Sequence, residues 1–310
     1  MAISVYNKYV WLLDTVRKAG DIGITFDEIN EEWMRKDNQR LNGGEKIPRR
    51  TFHKWRQAID KMFNVFIDCR RKGGYRYFIA DPDELKKHSM SNWLLDTMSV
   101  SNLLIENIAL KDRILLENVP SGLKFLPVIL DAMKACKVLS MTYQGFSHDE
   151  PHTYDVHPYC VKLFKQRWYL VAFSTARHEV RTYAVDRIKA LAPQRSKFKM
   201  PENFSPASFF SNAYGVMMGS EVPQDIKISV DAEQANYLRS LPLHHSQHEQ
   251  VRGAEHSVFT FHLCPEYDFI KELLSMGRAV EVIEPASLRA KVAAIALEMS
   301  DMYQRKRVNR

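Results

Sequence analysis

Hydrogen-bond donors are concentrated in the stretch IPRRTFHKWRQAIDKMF, residues 47–63. At about 100° per residue, a helix through this stretch gathers its basic and amide side chains on one side: Arg49, Arg50, His53, Lys54, Arg56, Gln57 and Lys61. Such groups at helical spacing can bind phosphate oxygens and the edges of base pairs. The four that point farthest from the apolar side are candidate base readers: Arg50, His53, Lys54 and Gln57. Arg49 and Arg56 lie at the flanks and suit phosphates.

The opposite side of this helix is apolar and must pack on neighbouring elements. Its residues are Phe52, Trp55, Ala58, Ile59, Met62 and Phe63. Apolar spacing over 7–19 predicts a first helix, and Thr25 with Glu28 fits a capping box that opens a second helix through Trp33. Two β-rich runs, at 65–70 and 75–79, predict a hairpin.

This order of elements predicts a winged helix-turn-helix domain at residues 1–80, whose third helix enters the major groove of duplex DNA. The hairpin would contact phosphates through its basic residues, which are Arg70, Arg71, Lys72 and Arg76. The loop 36–45 is longer than a tight turn, so the motif is a variant one. The alternative is an amphipathic helix whose outer face is merely solvated.

The chain has 310 residues, is 45% hydrophobic and 26% charged, and carries a net charge of +7. Two basic islands hold this charge: residues 1–78 contain 16 Lys/Arg and 10 Asp/Glu, and residues 134–199 contain 12 and 5. Such islands favour anionic partners. The sequence has no run of about 18 apolar residues, and its cysteines (Cys69, Cys136, Cys160 and Cys264) are far apart. We expect a cytoplasmic protein with reduced thiols and no membrane span.

A helical pattern runs from Trp93 to Leu116, within a linker predicted at residues 81–124. It fits either a dimer-forming or domain-bridging arm, or plain intramolecular packing. Because DNA readers often bind two half-sites as two-fold dimers, we expect a homodimer.

From Val138 the apolar period changes to two, which predicts short strands and a small antiparallel β-barrel. The middle strand carries Trp168, Leu170 and Ala172 on one face and Arg167, Tyr169, Val171 and Phe173 on the other. The next strand carries Arg181, Tyr183 and Val185 on one face. Arginine and tyrosine repeated on one side of a barrel fit a platform for phosphates and bases.

Four short motifs in this segment resemble the WYL domain: His157-Pro-Tyr159, Arg167-Trp-Tyr-Leu170, Arg181-Thr-Tyr183 and Asp186-Arg-Ile188. The resemblance implies an Sm-like or SH3-like barrel at residues 125–200, usually behind a winged helix-turn-helix, that senses a ligand. Single-stranded nucleic acid or a nucleotide is the implied effector. The matching ligand positions are Tyr143, His157, Tyr159, Tyr169, Arg181 and Arg187. Asp186 would orient Arg187 by an ion pair.

Residues 201–221 are predicted to be a connector. The strand and helix patterns from 222 to 310 resemble the C-terminal extension of the same family, and their β-α-β-α-β-α order predicts a small α/β sandwich. The whole chain is therefore expected to be a multidomain α+β protein with a winged helix-turn-helix, a helical linker, a small antiparallel β-barrel (Sm/SH3-like) and a C-terminal α/β sandwich.

Two histidine-rich stretches could hold a metal by residue type, one around His148 and His152 and the other at 244–248. Neither has a recognised zinc or nuclease spacing, so we predict no metal and no other cofactor. The sequence also lacks the common phosphate-loop and nucleophile motifs, and nothing in it argues for an enzyme.

These features predict a ligand-responsive, DNA-binding transcription regulator, in which the winged helix reads double-stranded DNA and the basic barrel senses an anionic effector. Effector binding would then change the arrangement of the DNA-binding domains. Two other interpretations stay open. One is a nucleic-acid-binding defence or repair factor, and the other is a metal-dependent nuclease that uses the histidine stretches.

Overall fold

The computed structural model describes residues 5–35, 44–72, 74–81, 122–146 and 149–304, together with positions 93, 96, 97, 100, 101, 104, 108–115 and 117. The chain divides into two compact units, 1–117 and 118–310, and is a mixed α+β protein with several antiparallel sheets. Most of the predicted loop 36–45 lies outside the described residues, and so do 10 of the 24 positions of the predicted linker helix 93–116. The described positions between 93 and 104 are helical.

Three helices and a hairpin make up most of the described part of the first unit. Their bounds are α1 Val5–Lys18, α2 Phe26–Trp33, α3 Arg49–Phe63, β1 Ile67–Arg70 and β2 Arg76–Ile79. The predicted capping box is confirmed: Glu28 N donates to Thr25 Oγ1 at 3.2 Å, and Thr25 N donates to Glu28 Oε2 at 2.8 Å. Helix α3 ends where Asn64 adopts a left-handed conformation (φ 53°), which Asn tolerates better than most residues.

The apolar side of α3 is buried as predicted, except that Ala58 is half-buried and Met62 is exposed. The core that it joins contains Leu12, Leu13, Val16, Ile29, Trp33, Phe52, Trp55, Ile59 and Phe63. Aromatic rings in this core pack edge to face. The ring centres of Trp33 and Trp55 lie 5.6 Å apart, and those of Phe52 and Tyr77 lie 4.7 Å apart. Burial of each large side chain stabilises the fold by about 1.5–3 kcal/mol. The inner face of α3 therefore fixes the helix in place.

A residue between α1 and α2 joins the hairpin to the helices. Ile24 N donates to Tyr77 O at 2.9 Å, and Tyr77 N donates to Ile24 O at 2.8 Å. This antiparallel bridge fixes the second strand of the hairpin beside the helical core.

The second unit opens with α4, Leu126–Ala135, which packs on a five-stranded antiparallel sheet. The strands are β3 Lys137–Tyr143, β4 His152–Phe164, β5 Arg167–Ser174, β6 Glu179–Ala184 and β7 Ile188–Lys197. Leu139, Met141 and Leu170 are buried against Ile129 of the helix. The alternating apolar residues of the sequence thus form the helix-facing side of this sheet.

These strands form an open sheet rather than the closed barrel that the sequence predicted. Their order is β6-β5-β4-β3-β7, and no pairing between the two edge strands is found within residues 122–146 and 149–304. The cause is local. Strand β6 ends at Ala184, and a 3-10 turn over Val185–Arg187 carries the chain to the far edge, where β7 pairs with β3.

A connector with the short helix α5, Pro206–Phe209, leads to a second antiparallel sheet. Its strands are β8 Gln224–Asp231, β9 His248–Val251, β10 His256–Leu263 and β11 Val280–Glu284, in the order β11-β8-β10-β9. The helices are α6 Ala232–Ser240, α7 Tyr267–Ser275 and α8 Ala286–Gln304. They share one core with the sheet, and β9 is the one of these elements that the sequence did not predict. Of the described helices, none is long and apolar enough to cross a membrane.

Candidate nucleic-acid interface and effector site

The outer side of α3 is exposed. Arg50, His53, Lys54 and Gln57 are all exposed, because the apolar residues between them are held in the core. Arg49 is also exposed, and its guanidinium lies 4.9 Å from the centre of the Phe26 ring. The four predicted base readers therefore form a continuous surface of hydrogen-bonding groups on one helix.

Arg56 differs from the other predicted DNA contacts because its guanidinium is turned inward. Its Nε donates to Ile67 O at 3.1 Å, and its Nη2 donates to the same carbonyl. The guanidinium also covers Tyr77, 5.1 Å from the ring centre. Arg56 thus joins α3 to β1 and holds the hairpin against the helix.

The turn of the hairpin presents two exposed cations, Arg71 and Lys72. Arg70 precedes them, and its guanidinium lies over Phe78, 4.9 Å from the ring centre. Positive charge is therefore concentrated at the tip, where it can reach an anion.

Arg76 points away from the tip, toward the start of α2. Its Nη1 donates to Gly23 O at 2.8 Å, and its Nη2 donates to Glu28 Oε1 at 3.4 Å. The backbone N–H of Thr25 lowers the pKa of Glu28, and the charge of Arg76 adds to this effect. Arg76 therefore links the hairpin to the capping box instead of facing outward with Arg71.

The predicted effector ligands fall into three groups on the five-stranded sheet. The first contains Tyr143, whose ring lies 5.2 Å from that of Tyr183 and whose hydroxyl accepts from Ala184 N at 3.4 Å. Arg181 is exposed, and its Nε donates to Glu179 Oε1 at 2.6 Å. The charge of this arginine is therefore already paired.

The second group belongs to a row of aromatic rings. His157 stacks on Phe198 with ring centres 4.9 Å apart and planes at 9°, and Tyr159 lies 4.9 Å from Phe204. Burial lowers the pKa of His157, against an opposing effect of Asp155, and burial also raises the pKa of Tyr159. His157 is therefore neutral near pH 7 and offers a stacking ring and a hydrogen bond, but no charge.

The third group lies at the turn after β6. The guanidinium of Arg187 lies 3.5 Å from the centre of the Phe146 ring. Asp186 pairs with Arg167 (Nη2 to Oδ2, 3.1 Å), and not with Arg187 as predicted. Burial raises the pKa of the nearby Tyr169, while the charge of Arg167 opposes the rise.

Strand register separates these groups. Arg181 pairs with Ala172 and Tyr183 pairs with Leu170, so both lie on the face that packs on α4. Tyr169 is one residue from Leu170 and therefore lies on the other face. The structure thus does not bring Arg181 and Tyr169 together on one platform.

Sequence reasoning missed Thr182, whose Oγ1 is buried in β6. Among the described residues, this atom is one of five buried side-chain atoms without a hydrogen-bond partner; the others are Asp186 Oδ1, Arg187 Nε, Ser174 Oγ and Tyr183 Oη. A buried polar atom without a partner costs about 1–3 kcal/mol, so such atoms mark places where a ligand or ordered water completes the structure. No motif in the sequence singles out Thr182; its alternation with Arg181 only indicates that it faces the other side.

The histidine stretches do not form a metal site where the structure describes them. His148 lies outside the described residues, and across the described ranges no group of three His, Cys, Asp or Glu could hold a metal ion. The Nε2 atoms of His244 and His245 lie 3.0 and 2.7 Å from Ser211 O, and His244 Nδ1 lies 2.7 Å from Ser246 Oγ. These histidines hold the connector to the second sheet.

Two family models match the second unit, the WYL domain at residues 124–193 and the WCX domain at residues 223–300. The first match covers α4 and most of the five-stranded sheet, and the second covers the four-stranded sheet and most of its helices. The chain therefore contains a WYL domain followed by a WCX domain.

Among solved structures, the chain is similar to proteasome accessory factor B/C (PafBC) of Arthrobacter aurescens, with 18% identity, a TM-score of 0.40, and coverage of 97% of this chain and 48% of that one. The chain thus spans about half the length of PafBC. It is also similar to a CRISPR Cas-related protein known from a crystal structure, with 12% identity, a TM-score of 0.40, and coverage of 98% and 87%. No curated protein sequence matches it.

Proposed function

We propose that this chain is a transcription regulator that reads duplex DNA with α3 and contacts phosphates with the tip of the hairpin. The observation that carries the proposal is the exposed row Arg50, His53, Lys54 and Gln57 on a helix whose other side is buried. Groups of this kind bind base edges in the major groove, and each good bidentate contact contributes about 1–3 kcal/mol of discrimination.

The hairpin supports a winged arrangement. The bridge between Ile24 and Tyr77 holds it beside the helices, so Arg71 and Lys72 can reach phosphates next to the groove that α3 enters. Arg49 is exposed at the N-terminal end of α3, where the helix dipole also favours a phosphate.

Each part of the chain has its own role in this function. Residues 1–80 bind DNA, 81–124 are the linker, 125–200 sense the effector, 201–221 connect, and 222–310 form the extension. A cytoplasmic homodimer would place two copies of α3 on two half-sites.

The effector is an anion, either a single-stranded nucleic acid or a nucleotide, and its site is the turn after β6. Arg187 supplies the positive charge, and Phe146 and Tyr169 supply rings on which a base can stack. Thr182 and Asp186 each supply a polar atom without a partner among the described residues. The remaining part of a longer effector is predicted to contact Tyr143, His157, Tyr159 and Arg181.

The proposed binding of duplex DNA by α3 is tested by fluorescence anisotropy on duplex DNA from the gene's own upstream region. Arg50→Ala with Lys54→Ala should weaken binding by at least about tenfold and lower the preference for this duplex over an unrelated one. Lys271→Ala with Arg278→Ala removes the same charge from exposed positions of the second unit and is the matched control. Equal binding by both double variants would refute the assignment to α3.

The proposed effector site is tested by measuring the binding of a fluorescent single-stranded oligonucleotide at several salt concentrations. Arg187→Ala should weaken its binding and leave duplex binding unchanged. The oligonucleotide should also change the affinity of the wild-type protein for the duplex, because the proposal couples the two sites. An unchanged duplex affinity at saturating oligonucleotide would rule out this coupling.

A further inference from the structure

In the basic island at residues 134–199, only some of the Lys and Arg side chains are available to a ligand. Several of its cations have partners: Lys162 with Gly215 O at 2.7 Å, Lys165 with Glu272 at 2.5 Å, Arg167 with Asp186 at 3.1 Å, Arg181 with Glu179 at 2.6 Å and Lys199 with Glu202 at 2.9 Å. These contacts neutralise or occupy much of the charge around the predicted effector residues.

Other cations of the island have, within residues 122–146 and 149–304, neither an ion pair nor a side-chain hydrogen bond. Five of them form a set that we name the β7-edge patch: Lys134, Lys137, Lys189, Arg195 and Lys197. Three lie on β7, and the other two lie where α4 leads into β3. All are exposed except Lys137, which is half-buried.

The fold brings one end of this patch together. Lys137 and Lys197 are cross-strand partners in the β3–β7 pair, and just beyond them Phe198 N donates to Cys136 O at 2.9 Å. Lys134 lies in the last turn of α4, immediately before this junction. Like charges that face each other across an antiparallel pair are destabilising, so this cluster is a place where a bound anion stabilises the fold.

The other end of the patch extends along the edge of the sheet. At about 3.3 Å per residue, Lys189 and Lys197 lie up to about 26 Å apart along β7. Phosphates of one DNA strand follow one another at about 3.4 Å along the helix axis, so this length is enough for several of them. Little opposing charge is present: Asp155 accepts from Gln194 at 2.5 Å, and Asp131 lies one turn before Lys134 on α4.

We propose that the β7-edge patch binds the sugar-phosphate backbone of duplex DNA without reading its sequence. Its cations supply charge and donors along an exposed edge strand. Single-stranded nucleic acid would need aromatic faces for its bases, and the neighbouring ring of Phe198 is buried against His157, 4.9 Å away. Binding at the β7-edge patch adds to the proposed function, since the patch and α3 would both bind duplex DNA. The patch lies in the second compact unit, so its binding does not depend on α3.

The test uses the full chain and a duplex of unrelated sequence, with affinity measured over a range of salt concentrations. Lys134→Ala, Lys137→Ala and Lys197→Ala are combined in one patch variant. Because each phosphate contact contributes about 0.9 to the slope of log affinity against log salt, the slope should fall by up to about 3. The matched control removes three exposed cations of the same unit, by Arg252→Ala, Lys271→Ala and Arg278→Ala, and should keep the wild-type slope.

An unchanged slope in the patch variant, or an equal fall in the control, would overturn the proposal. So would a loss of binding to a single-stranded oligonucleotide without a loss of duplex binding. The Arg50→Ala, Lys54→Ala variant is measured on the same duplex. If the Arg50→Ala, Lys54→Ala variant keeps wild-type affinity for every duplex while the patch variant has a smaller salt slope, the role of α3 is refuted and the β7-edge patch is supported. If the Arg50→Ala, Lys54→Ala variant loses duplex affinity while the patch variant keeps the wild-type slope, the β7-edge patch is refuted and the role of α3 is supported.

Discussion

Asp186 pairs with Arg167 of β5, with 3.1 Å between Oδ2 and Nη2, although Arg187 is its neighbour in sequence. The carboxylate side chain is 10% exposed and the guanidinium side chain 32% exposed. Removal of Arg167 should therefore destabilise the protein more than removal of Asp186, because an unpaired charge costs more free energy when it is more buried.

Arg167→Ala is expected to lower the free energy of unfolding by about 2–3 kcal/mol, because it leaves the buried carboxylate of Asp186 without its cation. Asp186→Ala should cost less, about 1–2 kcal/mol, because the arginine it leaves can reach water. Urea unfolding of both variants and of the double variant gives the coupling between them. Equal losses in the single variants, with no coupling, would show that the ion pair is only a surface contact.

Gly122 approaches the turn after β6 so closely that a side chain cannot fit. Its φ is 63°, and an added Cβ would lie 2.6 Å from both Asp186 N and the carbonyl carbon of Val185. Gly122→Ala should lower the free energy of unfolding by about 2–4 kcal/mol, from the left-handed backbone and the clash together. Gly277→Ala is the control, since Gly277 has φ 58° and no atom within 4 Å of the added Cβ; it should cost only about 1 kcal/mol. Thermal or urea denaturation that found equal losses would contradict the close approach.

Arg56 and Lys54 lie two residues apart on α3 and should respond differently to alanine. Arg56→Ala removes the donors to Ile67 O and should lower the free energy of unfolding by about 1–3 kcal/mol. Lys54→Ala removes an exposed side chain and should change it by less than about 0.5 kcal/mol while weakening DNA binding. Urea unfolding and duplex anisotropy of both variants separate the roles. Wild-type stability in Arg56→Ala would show that the inward contact contributes nothing.

His244 makes the connector sensitive to acid. Burial lowers its pKa, and the charges of His245, Lys162 and His262 lower it further, against the hydrogen bond to Ser211 O. Its pKa in the folded protein therefore lies below the ordinary value of about 6.5 that it recovers on unfolding. The unfolded state binds more protons between these two values, so the stability that is present above about pH 6.5 is lost as the pH falls through the folded pKa.

Replacement of this imidazole should make the unfolding free energy less dependent on pH. Between about pH 7.5 and pH 5, His244→Gln is expected to lose less stability than the wild type, as measured by urea unfolding at each pH. His256→Gln alters an exposed histidine and should keep the wild-type dependence. If the unfolding free energy of His244→Gln depended on pH as that of the wild type does, His244 would not be the source of the acid sensitivity.

The elements of the first unit could be predicted because their signals are local. The capping box needs only Thr25 and Glu28, and the buried side of α3 needs only the spacing of Phe52, Trp55 and Ile59. In such cases the interacting residues lie within one or two turns of each other, so a helical wheel places them correctly.

The partners of individual charges could not be predicted in the same way. Arg56 lies on the flank of the helical wheel, but the carbonyl that it contacts comes from β1, and Asp186 takes its cation from β5 rather than from the next residue. Alternation sorts the residues of one strand into two faces, but only the register between β5 and β6 decides that Arg181 shares a face with Leu170. These relationships depend on long-range pairing, which single-sequence patterns do not encode.

Strand β7 also forms an open edge of its sheet. An exposed edge is a template on which a strand from another molecule can add, and lysine and proline are the residues that prevent this. Pro193 removes one backbone donor from β7, while Lys189 and Lys197 would repel a similar strand. The same cations that suit phosphates therefore keep two copies of the sheet from joining edge to edge. A modification or mutation that neutralised them would favour aggregation even in the absence of DNA.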